Sequence, residues 1–98
     1  MNEGITLGGI RFEPINEGMS EEGMEENQGK KFTLAITKNS DRYFLTRLDS
    51  NHYVAISEET NIVSKIDETL AKEMFRAVGS ATDIENKKCN ELLNSSNI

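Results

Sequence analysis

The residues with the clearest capacity for chemistry are acidic side chains between residues 16 and 29. They are Glu17, Glu21, Glu22, Glu25 and Glu26. Clustered carboxylates could act as general acids or bases, coordinate a cation or attract a basic surface. Acid–base work needs a rigid frame, whereas Gly18, Gly23 and Gly29 predict a flexible loop. The alternating ligand spacing of an EF-hand is also missing, so we expect neither a catalytic site nor a metal site here.

Two other residues of potentially catalytic type, His52 and Cys89, stand outside any motif. A histidine acting in catalysis also needs a nucleophile and an orienting group, so a structural role is expected for His52. Cys89 is expected to pack as a small apolar residue on a helix. The chain has no P-loop, no dinucleotide-binding glycine pattern, no Cys-x-x-Cys pair and no His-Glu-x-x-His. We therefore expect a protein that is not an enzyme and uses no cofactor.

The elements that would carry these residues begin with a β-meander in the middle of the chain. Three runs of alternating or branched and aromatic side chains are separated by turn-forming residues. The runs are 32–37, 42–48 and 52–57. Alternation should put Tyr43 and Phe44 on opposite faces of the sheet, and likewise Tyr53 and Val54.

An N-terminal strand is predicted over residues 5–15. The pair Gly8-Gly9 interrupts its pattern and indicates a bulge, a bend or a tight hairpin. Pro14 cannot donate to a β-ladder, so it should mark the edge or the end of this strand.

The segment after the third run admits two interpretations. Several apolar residues in it are spaced by four, as on one face of a helix. They are Ile62, Ile66, Leu70, Met74 and Val78. We favour a short fourth strand over 62–66 and then a helix, because Asp67 is a good N-cap. The stripe expected to cover the sheet is Leu70, Met74, Phe75 and Val78, and Gly79 is expected to end the helix.

Thr82 followed by Glu85 forms a capping-box pattern and predicts a second helix to about Leu93. With 98 residues, the chain is expected to form a single small domain, 1–98, that contains the acidic flexible loop 16–29. The predicted fold class is α+β: an antiparallel β-meander of four to five strands packed by one or two C-terminal helices.

The charge is distributed unevenly along the chain. Residues 1–29 hold seven glutamates and one arginine, whereas residues 30–98 hold ten acidic and ten basic residues. The whole net charge of −6 therefore lies in the first 29 residues. An acidic arm on a neutral body repels nucleic acid and anionic lipid and attracts basic surfaces. We predict a basic protein surface as the partner, with no direct nucleic-acid partner and no membrane partner.

The cellular location expected from the sequence is the cytoplasm. A single cysteine excludes an internal disulfide, and the N-terminus shows no charged-then-apolar signal pattern. The apolar runs are only a few residues long, and about 20 residues are needed to span a bilayer.

Three strand segments and the acidic arm together resemble a known class of small proteins. The segments are Phe32-Thr33-Leu34-Ala35-Ile36, Tyr43-Phe44-Leu45-Thr46-Arg47 and Tyr53-Val54-Ala55-Ile56-Ser57. A small acidic chain of this kind resembles phage-encoded anti-defence proteins, particularly the anti-CRISPR inhibitors of RNA-guided nucleases. Such inhibitors commonly place carboxylates where the nuclease expects DNA phosphates. The resemblance implies that role for Glu21, Glu22, Glu25 and Glu26.

Our first functional hypothesis is a non-enzymatic inhibitor or adaptor that binds a basic, nucleic-acid-handling protein. The binding surface would be the acidic loop, including Glu17, and the adjoining sheet. The alternatives are a small-molecule module that binds nucleotides, and a structural or regulatory oligomer. The sequence also leaves a homodimer open, because an edge strand with exposed apolar residues could form a dimer surface.

Overall fold

The computed structural model describes residues 5–7, 9–12, 30–49 and 51–96. These residues form seven strands and two helices. The strands are β1 (Ile5–Leu7), β2 (Ile10–Phe12), β3 (Thr33–Ile36), β4 (Arg42–Arg47), β5 (His52–Ser57), β6 (Val63–Asp67) and β7 (Arg76–Ser80). The helices are α1 (Glu68–Met74) and α2 (Asp83–Ser95). The predicted α+β class is confirmed, whereas the predicted acidic loop lies outside the described residues.

Five of the strands form one antiparallel sheet with the order β6-β5-β4-β3-β7. The first four in the chain, β3 to β6, make the predicted meander, and the fourth strand at 63–67 is therefore confirmed. α1 then carries the chain from the β6 edge to the opposite edge, where β7 pairs with β3.

The alternating pattern gives the sheet two apolar faces, and each face has its own core. The α1-side core contains Leu7, Phe12, Ala35, Leu45, Tyr53, Ala55, Ala71, Phe75 and Ala77. The α2-side core contains Phe32, Phe44, Val54, Ile56 and Cys89. Tyr43 packs against the α1-side core and Phe44 belongs to the other, so the prediction that they lie on opposite faces is confirmed.

The N-terminal strands β1 and β2 form a separate two-stranded antiparallel sheet, with Leu7 paired to Ile10. Of the three options for Gly8-Gly9, the structure has the hairpin, and Gly9 adopts a positive φ of 88° that suits glycine. Leu7 and Phe12 bring the hairpin onto the α1-side core, where the Phe12 ring meets Tyr53 edge-on.

The predicted end of the first helix is wrong. Asp67 does cap α1, accepting a hydrogen bond from Leu70 N at 2.8 Å, but the helix stops at Met74. Phe75 is extended, and the chain continues as β7 instead of as helix to Gly79. Pairing with β3 satisfies a row of backbone groups along that edge, and this outweighs the helical spacing.

The predicted apolar stripe is also only partly correct, because α1 turns another face to the sheet. Ala71 and Phe75 are buried, whereas Leu70, Met74 and Val78 are each about two-fifths exposed. The second helix agrees better: the reciprocal Thr82–Glu85 capping box is present, and α2 extends to Ser95.

Candidate functional site

The five glutamates predicted to bind a partner lie outside the described residues. They are Glu17, Glu21, Glu22, Glu25 and Glu26. The structure does describe the point at which their segment joins the folded body. That junction is the extended stretch 30–32, which leads directly into β3.

Two asparagine side chains of α2 hold this junction. Asn90 receives a hydrogen bond from Lys30 N at 2.9 Å and donates one back to Lys30 O at 2.8 Å. Asn86 Oδ1 accepts from Phe32 N at 2.7 Å. Residues four apart share one face of a helix, so the two amides act like a neighbouring strand for the extended chain. We call Asn86 and Asn90 the asparagine clamp.

Further contacts fix the same stretch. Thr46 Oγ1 donates to Lys31 O at 3.0 Å, and Ala81 N donates to Phe32 O at 3.0 Å. The Phe32 side chain is buried in the α2-side core. The chain that follows the acidic segment is thus held by several hydrogen bonds, and no sequence pattern indicated the asparagine clamp.

A cleft of about 540 Å³ lies beside the junction. Its lining residues are Lys30, Lys31, Asp83, Ile84, Asn86, Lys87 and Asn90. We call it the lysine cleft, because its lining contains three lysines and one aspartate. Partial burial lowers the pKa of the Lys30 ammonium by desolvation. Its three lysines are suited to an anion such as a phosphate or a carboxylate.

A second cleft, of about 740 Å³, lies at the other end of the sheet, where the β3–β4 and β5–β6 turns meet. Its lining residues are Ser40, Asp41, Arg42, Tyr43, Ser57, Glu58, Glu59, Thr60, Ile62 and Ser64. We call it the turn cleft. Arg42 Nε donates to Glu58 Oε1 at 2.7 Å across it. Asp41 and Glu59 add two exposed carboxylates, so this cleft is mainly acidic and rich in hydroxyls.

The turns that frame the turn cleft are set by two residues in the left-handed region. Ser40 has a φ of 70° and Asn61 a φ of 65°. Local hydrogen bonds support both turns, with Thr37 Oγ1 accepting from Asp41 N and Ser57 O accepting from Asn61 N. Local hydrogen bonds therefore hold the backbone of the turns that carry Asp41, Glu58 and Glu59.

The histidine and cysteine have structural surroundings, as the sequence predicted. His52 is half-buried, and its Nδ1 lies 3.0 Å from Asp49 Oδ1. A hydrogen bond from the Asn51 backbone, with help from His52, lowers the pKa of Asp49. Cys89 is 1% exposed in the α2-side core, and burial raises the pKa of its thiol to about 11. A thiol in that state is a poor nucleophile at neutral pH.

One buried polar atom has no partner. The Tyr53 hydroxyl is enclosed in the α1-side core. Among the described residues, it is the only buried side-chain nitrogen or oxygen without a hydrogen-bond partner. Burial raises the pKa of Tyr53 to about 12. Arg47, on the same face, donates from Nε to Asp49 O at 3.2 Å.

Comparisons with family models, with curated proteins and with solved structures found no match for this chain. In the part of the chain that the structure describes, no helix is long and apolar enough to cross a membrane. The same residues contain no group of three or more His, Cys, Asp or Glu side chains placed to hold a metal ion.

Proposed function

We propose that this chain is a non-enzymatic inhibitor or adaptor that binds a basic, nucleic-acid-handling protein through its acidic segment and the sheet beside it. The observation that carries the proposal is the separation of charge combined with the asparagine clamp. The first 29 residues hold the whole net charge of −6, and the chain that follows them is fixed to α2 at Lys30.

A fixed junction supports binding by such a segment. Ordering a flexible chain costs about 1–2 kcal/mol per residue, so an attachment that holds residues 30–32 in place reduces what a partner must order. A groove built for nucleic acid carries lysine and arginine side chains that contact phosphates. Glutamates can take the place of those phosphates, and the resemblance to anti-CRISPR inhibitors makes RNA-guided nucleases the first class of partner to try.

The test compares two variants with the same change in net charge. In the first, Gln replaces the four arm residues Glu21, Glu22, Glu25 and Glu26. In the control, the neutral amide replaces four exposed acidic residues of the body, Asp41, Glu59, Glu73 and Glu91. Binding to purified RNA-guided nucleases is measured by calorimetry at low and high salt.

The native chain and the body control should bind, and the arm variant should not. Binding should also weaken as salt rises, because exposed charge pairs are screened over about 8–10 Å at ordinary ionic strength. Equal binding by all three chains would show that the arm only keeps the domain in solution. An affinity that does not change between low and high salt would count against a charged interface of any kind.

The lysine cleft favours a second candidate function, binding of a small anion such as a nucleotide. Its volume of about 540 Å³ is within the usual range for ligand sites, about 300–1,000 Å³. The melting temperature of the native chain is measured with each of a panel of nucleotides. At least one should raise it, since a ligand that binds the folded state stabilises it. Replacing Lys87 with Gln should remove the shift, while the same change at Lys38, which is outside the cleft, should keep it. No shift across the panel would exclude this candidate.

A further inference from the structure

The lysine cleft and the asparagine clamp are made by the same residues. Lys30 belongs to the clamped chain and also lines the cleft, and the two clamp residues Asn86 and Asn90 line it as well. Lys31, the next residue of the clamped chain, is part of the lining too. An anion in the cleft is therefore linked to the clamp, because any movement of residues 30–32 moves two of the three lysines.

Without an anion, the clamp works against the charge of the cleft. It brings Lys30 and Lys31 to the part of α2 that carries Lys87. Three lysines and one aspartate, Asp83, give the lining a net charge of +2. Among the described residues, no ion pair involves any of these lysines. Like charges that are held together raise the free energy of the arrangement, so the charge of the cleft opposes the clamp.

Lys30 is the lysine for which this cost is largest. It is half-buried, whereas Lys31 and Lys87 are exposed. Desolvation by partial burial lowers the pKa of the Lys30 ammonium, which means that the folded chain holds this charge less favourably than water does. A doubly charged phosphate group in the cleft would offset both the desolvation and the repulsion, because it forms charge-assisted hydrogen bonds with ammonium groups.

The Asn90 amide supports the cleft but has no donor left for an anion. Its Nδ2 donates to Lys30 O and to Asn86 O, both at 2.8 Å. Its Oδ1 accepts from Lys30 N at 2.9 Å. A primary amide has two N–H donors, and both are used here. Asn90 is therefore a positioning residue, which acts on an anion in the cleft through Lys30.

We propose that a phosphate group bound in the lysine cleft and the asparagine clamp stabilise each other. The proposal rests on the anion-binding function proposed for this cleft, and it adds that the anion regulates how firmly residues 30–32 are held on α2. By thermodynamic linkage, the factor by which the clamp raises the affinity for the anion equals the factor by which the anion stabilises the clamp. A phosphate-bearing ligand would thus act on the junction that leads into the acidic segment.

Calorimetry with inorganic triphosphate tests one side of this linkage, with the full chain at constant ionic strength. Asn90→Ala should raise the dissociation constant at least about fivefold, although the amide it removes has no donor free for the anion. Asn94→Ala, an exposed change on the same helix but outside the cleft, should leave the constant unchanged. Lys87→Gln should raise it about fivefold, because it removes a charge that faces the anion.

Hydrogen exchange on the native chain tests the other side and needs no substitution. Saturating triphosphate should slow exchange of the Lys30 and Phe32 amides, which donate to the clamp, at least about fivefold. The Lys31 amide lies between them and takes no part in the clamp. It reports the effect of the added negative charge alone, so its exchange should slow less. Sodium chloride at the same ionic strength should slow none of the three.

The outcomes separate this proposal from the anion-binding function on which it rests. Triphosphate that binds but slows the three amides equally, or that binds Asn90→Ala as tightly as the native chain, would overturn the linkage and leave anion binding standing. Triphosphate that does not bind, or that binds Lys87→Gln as tightly as the native chain, would overturn both. Slower exchange at Lys30 and Phe32 together with weaker binding to Asn90→Ala would establish the linkage.

Discussion

The two faces of the sheet are covered in different ways. One helix with local start signals, α2, packs on one face and also holds the junction to the acidic segment. The other face is shared by the β1–β2 hairpin and, far along the chain, by the short α1 with Phe75 at its end. The comparison shows two ways to cover a face of a sheet. One is a single helix whose start is encoded locally, and the other is a set of short elements that contact each other only in the folded protein.

The largest effect is expected on the α1 side, from Phe75→Ala. Phe75 is 5% exposed and its ring meets Tyr43 edge-on at 5.0 Å. Its removal should lower the free energy of unfolding by about 3–5 kcal/mol, because it leaves a cavity. Replacing the neighbouring Met74, which is 38% exposed, with Ala should lower the free energy of unfolding by less than about 1 kcal/mol. Denaturant unfolding measures both; a larger loss at Met74 would mean that the helix continues as the apolar spacing predicted.

A smaller effect is expected on the α2 side, from Asn90→Ala. The change leaves the N–H and C=O of Lys30 without their partners and should lower the free energy of unfolding by about 2 kcal/mol. Asn94→Ala, an exposed change on the same helix, should alter it by no more than about 0.5 kcal/mol. Hydrogen exchange at the Lys30 amide should quicken in the first variant alone. Unchanged exchange there would show that the clamp does not hold the junction.

The last effect is confined to alkaline pH: a loss of stability to which each face contributes one buried acid. The pKa of Cys89 is raised to about 11 and that of Tyr53 to about 12, so both groups ionise first in the unfolded chain. Their contributions are complete below the unfolded pKa values, about 9 for the thiol and about 10 for the phenol, and are lost as pH rises through the folded values.

Melting temperatures between pH 8 and about 12 separate the two groups. Cys89→Ala should reduce the decline that begins near pH 9, and Tyr53→Phe should reduce the part that begins about one unit higher. At neutral pH, Tyr53→Phe should change stability little, because its hydroxyl has no hydrogen bond to lose. A strong loss at neutral pH would mean that this hydroxyl does have a partner.

Much of the fold could be predicted from short-range signals. Alternation predicted the three central strands, and the Thr82–Glu85 box predicted the start of α2. Asp67 was identified as a cap because its side chain acts within one helical turn. Each of these signals depends on residues that are close together in the chain.

The binding surfaces could be predicted less well, for a reason seen in the asparagine clamp. Asn86 and Asn90 bond to backbone groups 54 and 60 residues away, and an isolated helix pattern gives no hint of such partners. The lysine cleft likewise combines Lys30 and Lys31 with residues of α2, which are far from them in the sequence. The glutamates named from composition stay a prediction, since they lie outside the described residues.

The sequence by itself determined the meander, both helix starts and the separation of charge, because these depend on side-chain type and near neighbours. Only the tertiary structure decided the end of α1, the course of residues 76–80 and which residues of α1 face the sheet. Helical spacing and strand pairing competed for that segment. Pairing prevailed because the edge of β3 offered backbone hydrogen bonds that no local pattern reveals.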